Sequence, residues 1–335
     1  MSDDRPFFLK QNTAIGAVTE ADDFLHRAQN AAVTADSATE TQYFGFSVPE
    51  ARIHGYAYLW YHPNLHTVTG GLFAFQGHKR SAGNAELSDF RTYHNDRVLD
   101  GDLHAYRLSN GYGVEVLEPL KRHRLTFADA ARGNAVDLTY EAVLPPVMFG
   151  DGTHFEQAMR VRGSLSLRGK TYTVDGFNVR DRSWAKPRPE DNLPMPPFSW
   201  MTGVFDPGFA FNCSVFDQEV PPGAPKLPVE RTLTGGWVHR DGKLGRLVKA
   251  TKRVERTRES LPSRIALSMT DEHDRTFALD GEMIASLVWH PWSNMTMPVC
   301  LMKWTCEGRV AHGDCQEGIW TDYLNAVGAE VPRAR

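Results

Sequence analysis

Apolar and polar side chains alternate with a period of two residues in a long series of short runs that begins near Gln42. This period of two is typical of β-strands with one buried face. Turn residues separate the runs, for example at Gly70-Gly71 and at Ser109-Asn110-Gly111. The pattern therefore predicts strands over Tyr43–Val48, Ile53–His62, Thr67–Gln76, His104–Leu108, Tyr112–Leu117, Lys121–Ala128, Asn134–Ala142, Phe155–Leu167, Lys170–Asp181, Phe198–Val204, Phe209–Phe216, Leu233–His239, Leu244–Glu255, Ser263–Thr270, Arg275–Trp289, Val299–Cys306 and Gly308–Trp320.

Few segments depart from this pattern. Thr19 is placed to cap a short helix over about 20–30, with acidic residues in the first turn, where the helix dipole favours them. Residues 85–93 predict a second short helix. Residues 31–41 predict a loop, and residues 323–335 predict a frayed tail.

The strand runs fall into two series, which predicts two domains. Pro145-Pro146 and the glycines around Asp151 mark the division, so we expect an N-terminal domain over 1–148 and a C-terminal domain over 149–335. With 28 Gly and 20 Pro in 335 residues, the composition favours an all-β architecture with few short helices. β-Barrels of roughly eight strands can hold one small ligand inside.

Composition also narrows the classes of partner and the compartment. A net charge of −4 gives no support for binding to nucleic acid or to an anionic membrane. No apolar run approaches the ~20 residues that span a bilayer, and the N-terminus lacks a basic segment followed by an apolar one. We therefore expect a cytoplasmic protein without an integral membrane segment, present as a monomer or a homodimer.

The motifs of common cofactor sites are missing from the sequence. It contains no glycine-rich nucleotide loop, no phosphate loop and no His-Glu-x-x-His zinc motif. Cys213, Cys300, Cys306 and Cys315 match no common zinc spacing, and we expect them to be reduced thiols. The prediction is a protein without a metal or an organic cofactor.

The segment 173–184 carries the most chemical information. Period-two alternation places Phe177, Val179 and Asp181 on one strand face, and Arg180, Arg182 and Trp184 on the other. If the first face lines a barrel interior, Asp181 is a carboxylate in a medium of low dielectric constant, where a charge is costly unless it is paired. Two interpretations follow: a buried Asp–Arg pair that closes the strand, or a catalytic carboxylate.

His154 and Glu156 share one face of the preceding strand. A histidine and a carboxylate two residues apart are able to orient each other or to relay a proton. The competing interpretation is that both residues only support the strand that carries Asp181.

Aromatic residues indicate a lipophilic pocket in both halves. In the first half, Tyr58, Trp60 and His62 share a strand face, and the other interpretation is an aromatic barrel core. His66 lies four residues beyond His62, but a turn separates them and no third metal ligand is evident. In the second half, the candidates for substrate binding are Trp200, Trp289 and His290, where core packing is again the alternative.

The order of motifs in this region resembles a known family. His154-Phe155-Glu156-Gln157, the turn Arg168-Gly169-Lys170, Val174-Asp175-Gly176 and Arg180-Asp181-Arg182-Ser183-Trp184 follow one another at hairpin spacing. They resemble the lipocalin-like carotenoid hydratases (hydroxyneurosporene synthase) and their uncharacterised bacterial relatives. Many of those relatives have Gly after the tryptophan, whereas Ala185 follows here. The resemblance is concentrated over about 150–190, with fainter similarity over 55–77 and 312–318.

The resemblance implies tandem lipocalin-like β-barrels and a lipophilic substrate. It points to a hydratase or dehydratase that acts by acid–base chemistry on an isoprenoid, steroid-like or polycyclic compound. The candidate catalytic residues are Asp181, His154, Glu156 and Arg180, and Trp184 joins the candidates for substrate binding. The alternatives are an isomerase or pericyclase, which works by holding its substrate in a reactive shape, and a carrier without chemistry.

Overall fold

The computed structural model describes residues 15–33, 38–99, 102–149, 152–187, 195–220, 222–224, 232–292 and 294–330. Strand accounts for 67% of the structure and helix for 11%, so the all-β prediction is confirmed. The strands form two sheets, one closed into a barrel and one curled but open. In the part of the chain that is described, no helix is long and apolar enough to cross a membrane.

The first sheet is curled and contains twelve strands. Ten of them follow the order β6-β4-β3-β2-β13-β12-β10-β9-β8-β7, while β1 and β11 extend the sheet beside β12. The strands are β1 (Ile15–Gly16), β2 (Ala38–Val48), β3 (Ile53–His62), β4 (Thr67–Gln76), β6 (Leu87–Tyr93), β7 (Ala105–Arg107), β8 (Gly113–Glu118), β9 (Arg122–Asp129), β10 (Asn134–Ala142), β11 (Val147–Phe149), β12 (His154–Leu167) and β13 (Lys170–Pro187).

The second sheet closes on itself as an eight-stranded antiparallel barrel, because β18 pairs with both β17 and β19. A ninth strand, β5, pairs with the outside of β19 and so joins the two halves of the chain. The strands are β5 (His78–Lys79), β14 (Phe198–Asp206), β15 (Phe209–Phe216), β16 (Leu233–Arg240), β17 (Lys243–Arg256), β18 (Pro262–Asp271), β19 (Thr276–Trp292), β20 (Met295–Cys306) and β21 (Arg309–Trp320).

The helices differ most from the sequence predictions. Thr19 does cap a turn, but only as a 3-10 turn over Glu20–Asp23, and α1 (Arg27–Ala31) follows separately. The helix predicted over 85–93 is wrong, because Leu87–Tyr93 pairs with β4 as an edge strand. The frayed tail predicted over 323–335 is wrong as far as Glu330, because α2 spans Thr321–Glu330, and residues 331–335 lie outside the described residues. Most of the residues of the predicted loop 31–41 lie either outside the described residues or in β2.

The change from one sheet to the other does not coincide with the predicted boundary at 148/149. β12 and β13 follow that point in the sequence, yet β12 pairs with β10, and β13 pairs with β2 of the first sheet. Apart from the two-residue strand β5, the strands of the second sheet begin with β14, which starts at Phe198. A proline- and glycine-rich turn therefore separates neighbouring strands of one sheet here.

The two faces of the first sheet pack against different partners. One face encloses the apolar core inside the curl, with Phe44, Leu72, Leu138 and Val161 among its members. The opposite face packs against the outside of the closed barrel, in a third core that includes Tyr43, Val179, Trp200, Val299 and Leu301. The face of β13 that carries Val179 and Asp181 therefore lies between the two sheets, which corrects the assumption that it lines a barrel interior.

Candidate functional site

A row of side chains crosses the outer face of the first sheet at the level of Asp181. Strand register places Glu156 opposite Asp181, Asp181 opposite Tyr43, Tyr43 opposite Tyr58, and Gly71 between Tyr58 and Phe90. Residues opposite each other on neighbouring strands share a face and lie close together. The row therefore runs from two carboxyl groups to an aromatic surface, and the pairing of Glu156 with Asp181 across β12 and β13 is a contact that the sequence did not predict.

Glu156 is the most unusual carboxyl group in this row. It is fully buried, and both of its oxygens accept hydrogen bonds from tryptophans of the closed barrel. Trp200 Nε1 lies 2.5 Å from Oε1, and Trp237 Nε1 lies 3.0 Å from Oε2. The chain thus uses both sheets to build the environment of a single carboxyl group.

The pKa of Glu156 is raised well above its usual range. Burial is the main cause, and the negative charge of Asp181 adds to it, while the two indole hydrogen bonds act in the opposite direction without cancelling it. In the residues that the structure describes, no lysine or arginine pairs with Glu156. A raised pKa favours the protonated form of this carboxyl group, and in that form it is able to act as an acid.

Asp181 and His154 lie nearer to solvent than Glu156. The side chain of Asp181 is 14% exposed and that of His154 is 23% exposed. His154 Nε2 lies 3.9 Å from Asp181 Oδ2, which is an electrostatic contact rather than a hydrogen bond. The three residues therefore lead from the partly exposed histidine to the fully buried carboxyl group.

The neighbouring arginines point away from this site. Arg180 and Arg182 lie on the opposite face of β13 and are fully buried. Arg180 Nη1 pairs with Asp23 Oδ1 at 2.6 Å, and Arg182 pairs with Glu40. The first interpretation of Asp181, as the buried partner of one of these arginines, is wrong because strand alternation separates them.

Asp23 and Glu40 are strongly held as carboxylates. Burial would raise the pKa of Asp23, but Arg180 and His123 outweigh it and hold this pKa well below its usual range. Burial would likewise raise the pKa of Glu40, but His26 and Arg182 lower it. Arg180 thus belongs to a balanced ionic cluster beneath the N-terminal segment and does not reach the site.

An aromatic cluster continues the row beyond Tyr43. Tyr58 and Trp60 are each 8% exposed, and their ring centroids are 4.5 Å apart. Trp289 comes from β19 and lies 5.1 Å from the Trp60 ring, and it stacks on Phe90 at 5.2 Å. The sequence candidates Tyr58, Trp60, Trp200 and Trp289 are therefore brought together with the carboxyl groups, between the two sheets.

Three other candidates for substrate binding are placed differently. Trp184 stacks on His26, with ring centroids 3.6 Å apart, on the side of β13 that carries the arginines. His290 is exposed and lies 3.3 Å from the Thr296 hydroxyl. His62 ends β3 at intermediate burial, two residues beyond Trp60, and His66 contacts Asp96 on the surface. Within the described part of the chain, neither Trp184 nor His290 hydrogen-bonds to or stacks on Glu156, Trp200 or Trp237.

The structure adds residues that the sequence did not single out. Tyr43 donates a hydrogen bond to Asp314 Oδ2 at 3.0 Å, and His54 Nε2 lies 2.8 Å from Asp314 Oδ1. All three side chains are buried, and they join β2, β3 and β21. Trp237 was missed as well. The one signal in the sequence was the faint family similarity over 312–318, which includes Asp314.

A second buried polar cluster lies on the inner side of the closed barrel. Lys252 Nζ lies 2.5 Å from Ser199 Oγ, an arrangement that could activate a serine only if the lysine were neutral. Burial opposes the charged form of Lys252, but the carboxylates of Asp217 and Glu317 outweigh it and raise the lysine pKa. Together with Arg256, these residues form a balanced set of two cations and two carboxylates.

The arrangement of cysteines and histidines gives no metal centre in the described part of the chain, where no three side chains of His, Cys, Asp or Glu converge on a possible ion. Cys213, Cys300, Cys306 and Cys315 are buried free thiols. Cys300 and Cys315 are opposite each other on neighbouring strands.

Residues 19–321 match the family described as Domain of unknown function (DUF7064), so the chain belongs to that family. No curated protein matches the chain. The resemblance to carotenoid hydratases therefore stays a prediction.

Solved structures with the same fold share little sequence with the chain. A protein named AttH from Nitrosomonas europaea has a TM-score of 0.61 at 12% identity, covering 92% of this chain and 97% of that one. Kievitone hydratase from Nectria haematococca has a TM-score of 0.51 at 13% identity, covering 96% and 100%. CghA has a TM-score of 0.54 at 13% identity, covering 84% and 88%. At these identities the similarity shows the fold alone.

Proposed function

For this member of the DUF7064 family, we propose a hydratase or dehydratase that acts on a lipophilic molecule by acid–base chemistry without an organic cofactor. The observation that carries the proposal is the Glu156 carboxyl group, which is fully buried, has a raised pKa and is held by two indoles beside an aromatic cluster. The name of one structural neighbour, kievitone hydratase, agrees with this reaction class.

Glu156 would act as the proton donor. In hydration it protonates an alkene, and in dehydration it protonates the hydroxyl group that leaves as water. Both reactions develop positive charge on carbon, and the faces of nearby aromatic rings stabilise a cation. Tyr43 and Trp200 lie beside Glu156, with ring centroids 5.6 Å apart, and Tyr58 continues the same surface.

Asp181 and His154 would restore the proton of Glu156 after each turnover. The negative charge of Asp181 contributes to the raised pKa of Glu156. His154 is partly exposed and lies 3.9 Å from Asp181, so it links the carboxyl groups to solvent. Arg180 receives no catalytic role, since Asp23 and Gln157 hold it on the other face of β13.

The aromatic cluster sets the class of substrate. Strands lie about 4.8 Å apart, so the three strand spacings from Glu156 to Tyr58 measure roughly 14 Å. A flat polycyclic or isoprenoid molecule of that length would place its reacting end at Glu156 and its body along Tyr58 and Trp60. A carrier would need the aromatic surface but not the costly buried carboxyl group.

Glu156→Gln tests the acid. The variant keeps the size of the side chain and removes the proton that is transferred, so turnover should fall by about 100-fold or more. The assay incubates the protein with a panel of aryl-substituted and isoprenoid alkenes, and with the corresponding tertiary alcohols. Mass spectrometry detects the gain or loss of one water molecule.

Asp175→Asn is the matched control, because Asp175 is an exposed carboxylate on the same strand as Asp181. It should leave turnover unchanged. Equal turnover by Glu156→Gln and wild-type protein would refute the acid, and binding of the panel without any turnover would favour the carrier.

A further inference from the structure

Hydration needs a second group, which accepts a proton from the water that attacks the cation. Glu156 is the acid in the proposed function, on which this inference rests. A buried histidine with a carboxylate partner is the most common way in which proteins build such a base. Among the described residues, the fully buried pair between the same two sheets as Glu156 is His54 with Asp314. The buried pairs His26–Glu40 and His123–Asp23 belong instead to the ionic cluster of Arg180 and Arg182.

Asp314 is fixed by contacts from both sheets. Its Oδ2 accepts the hydrogen bond from Tyr43, and its backbone N–H donates to Thr202 Oγ1 at 3.4 Å. Its Oδ1 lies 2.8 Å from His54 Nε2, although the orientation falls short of a hydrogen bond. Catalytic hydrogen bonds are often poorly aligned in unliganded proteins and tighten when substrate binds.

The second ring nitrogen of His54 makes no hydrogen bond to any described residue. His54 is completely buried, so Nδ1 is a polar atom withdrawn from solvent without a protein partner. Asn178 Nδ2 of β13 is likewise buried without a hydrogen-bond partner among the described residues. Buried polar atoms of this kind normally bind water or a ligand group.

Gly45 makes room for this polar group. A Cβ atom at Gly45 would lie 2.5 Å from the Tyr43 hydroxyl oxygen and 2.4 Å from Asn178 Oδ1. Both atoms therefore lie over the same glycine, within about 5 Å of each other by addition of the two distances. Tyr43 also has Trp200 as an edge-to-face neighbour, and Trp200 holds Glu156, which connects this polar group to the acid.

We propose that His54 is the catalytic base, that Asp314 orients its ring through Nε2, and that Tyr43 holds Asp314 in place. His54 Nδ1 takes a proton from the attacking water. Glu156 is linked to this group through Trp200, and His54 through Asp314 and Tyr43. Asp314 and Tyr43 are positioning residues.

The proton balance of the step is complete. Glu156 gives its proton to one alkene carbon. The carboxyl O–H bond and the alkene π bond break, a C–H bond forms, and a carbocation and a carboxylate remain. The water oxygen forms a C–O bond to the cation, and one water proton passes to His54 Nδ1. Glu156 has lost a proton and His54 has gained one, and exchange with solvent restores both. The alkene gains one water, and nothing is oxidised or reduced.

Isotope labelling separates the two halves of this step. The probe is 2-isopropenylnaphthalene, a flat bicyclic alkene whose protonation gives a tertiary benzylic cation. In D₂O, reversible protonation by the acid places deuterium in the terminal CH₂ group of recovered alkene. In H₂¹⁸O, addition of water places ¹⁸O in the alcohol.

His54→Gln should keep deuterium exchange near the wild-type rate and lose ¹⁸O incorporation by about 100-fold or more. Asp314→Asn and Tyr43→Phe should also keep deuterium exchange and lose ¹⁸O incorporation, but by a smaller factor. Tyr43→Phe removes only one oxygen atom, so it still tests the proposal if the His54 variant does not fold. Glu156→Gln should lose both labels. His66→Gln is the matched control, since His66 is 75% exposed, and it should keep both.

The outcomes distinguish the two proposals. Wild-type levels of ¹⁸O incorporation in folded His54→Gln, Asp314→Asn and Tyr43→Phe would overturn the base and leave the acid intact. Wild-type protein that neither exchanges nor hydrates this alkene or the panel above would refute the proposed function itself. ¹⁵N NMR of histidine-labelled protein then still tests the pair: a His54 tautomer unaffected by Asp314→Asn would exclude Asp314 as its orienting partner.

Discussion

The two faces of β13 differ in whether their buried charges are paired. On the inner face, Arg180 and Arg182 each have a carboxylate partner, supplied by Asp23 and Glu40 from the N-terminal segment. On the outer face, Glu156 and Asp181 lie side by side with no lysine or arginine partner among the described residues. One face pairs its charges and the other places two acids together.

This difference separates stability from function. Removal of one partner of a buried ion pair is strongly destabilising, because it leaves an uncompensated charge. A fully buried carboxyl group beside a second acid is unfavourable in the folded protein and persists where its raised pKa serves a reaction. The inner face should therefore respond to substitution mainly in its unfolding free energy, and the outer face mainly in turnover.

The largest expected effect is on the inner face. The Asp23 carboxylate neutralises Arg180 and accepts hydrogen bonds from His123 and from the Leu120 N–H. Asp23→Asn removes its negative charge. Breaking a buried pair in this way costs about 3–5 kcal/mol of unfolding free energy. Urea unfolding should show a lower midpoint at an unchanged m-value. A midpoint equal to that of wild type would mean that this ionic cluster does not stabilise the fold.

Asp181→Asn sharpens the comparison on the outer face. The residue has no arginine partner, so the urea midpoint should stay close to wild type, while hydration of the alkene panel falls by about 100-fold or more. The lost charge should also lower the Glu156 pKa, which infrared spectroscopy detects as earlier loss of the protonated carboxyl band on raising the pH. A large loss of stability with normal turnover per folded molecule would contradict the catalytic assignment.

The sequence reveals the part of this contrast that depends on residues close together in the chain, and not the part that depends on distant residues. Period-two alternation was enough to place Asp181 and Arg180 on opposite faces and to predict most strands. It could not show which face is buried against what, because Asp23 is 157 residues from Arg180 and Tyr43 is 271 residues from Asp314. Such contacts arise only from the arrangement of the two sheets.

The errors in secondary structure have a local cause. β6 (Leu87–Tyr93) is an edge strand with mostly half-exposed side chains, so its alternation is weak. The C-terminal helix was missed because its apolar residues are few. Tyr323, Leu324 and Val327 do repeat at helical spacing, and they pack against Ile319 and Ala224. Burial of that small apolar face stabilises the helix.

The pH dependence of stability should have opposite signs on the two faces. The Glu156 pKa is raised above its unfolded value of about 4.5, so its contribution is fully favourable below that pH and is lost as the pH rises toward the folded pKa. Glu156→Gln should therefore gain stability over wild type with rising pH above about 4.5, by at most about 1.4 kcal/mol per pH unit. No such gain in a series of urea titrations would contradict the raised pKa.

For Asp23 and Glu40 the sign is reversed, because their folded pKa values are depressed. Their stabilising contribution is present above the unfolded pKa and is lost as the pH falls below it. The difference in unfolding free energy between Asp23→Asn and wild type should therefore become smaller in acid. This is the pH range in which the difference between Glu156→Gln and wild type no longer changes with pH. Wild-type and variant curves that stay parallel down to pH 3 would exclude this linkage.

The smallest expected effect compares two tryptophans on opposite sides of the first sheet. Trp289 packs against Trp60 and Phe90 in the outer aromatic cluster, whereas Trp184 stacks on His26 on the inner side. Aromatic contacts contribute about 0.5–1.5 kcal/mol each. Trp289→Phe should therefore weaken binding of 2-isopropenylnaphthalene by about twofold to tenfold. Trp184→Phe should leave the Kd unchanged and lower only the melting temperature. Tryptophan fluorescence titration measures the Kd of each variant. Equal weakening of binding by the two substitutions would contradict binding at the outer aromatic cluster.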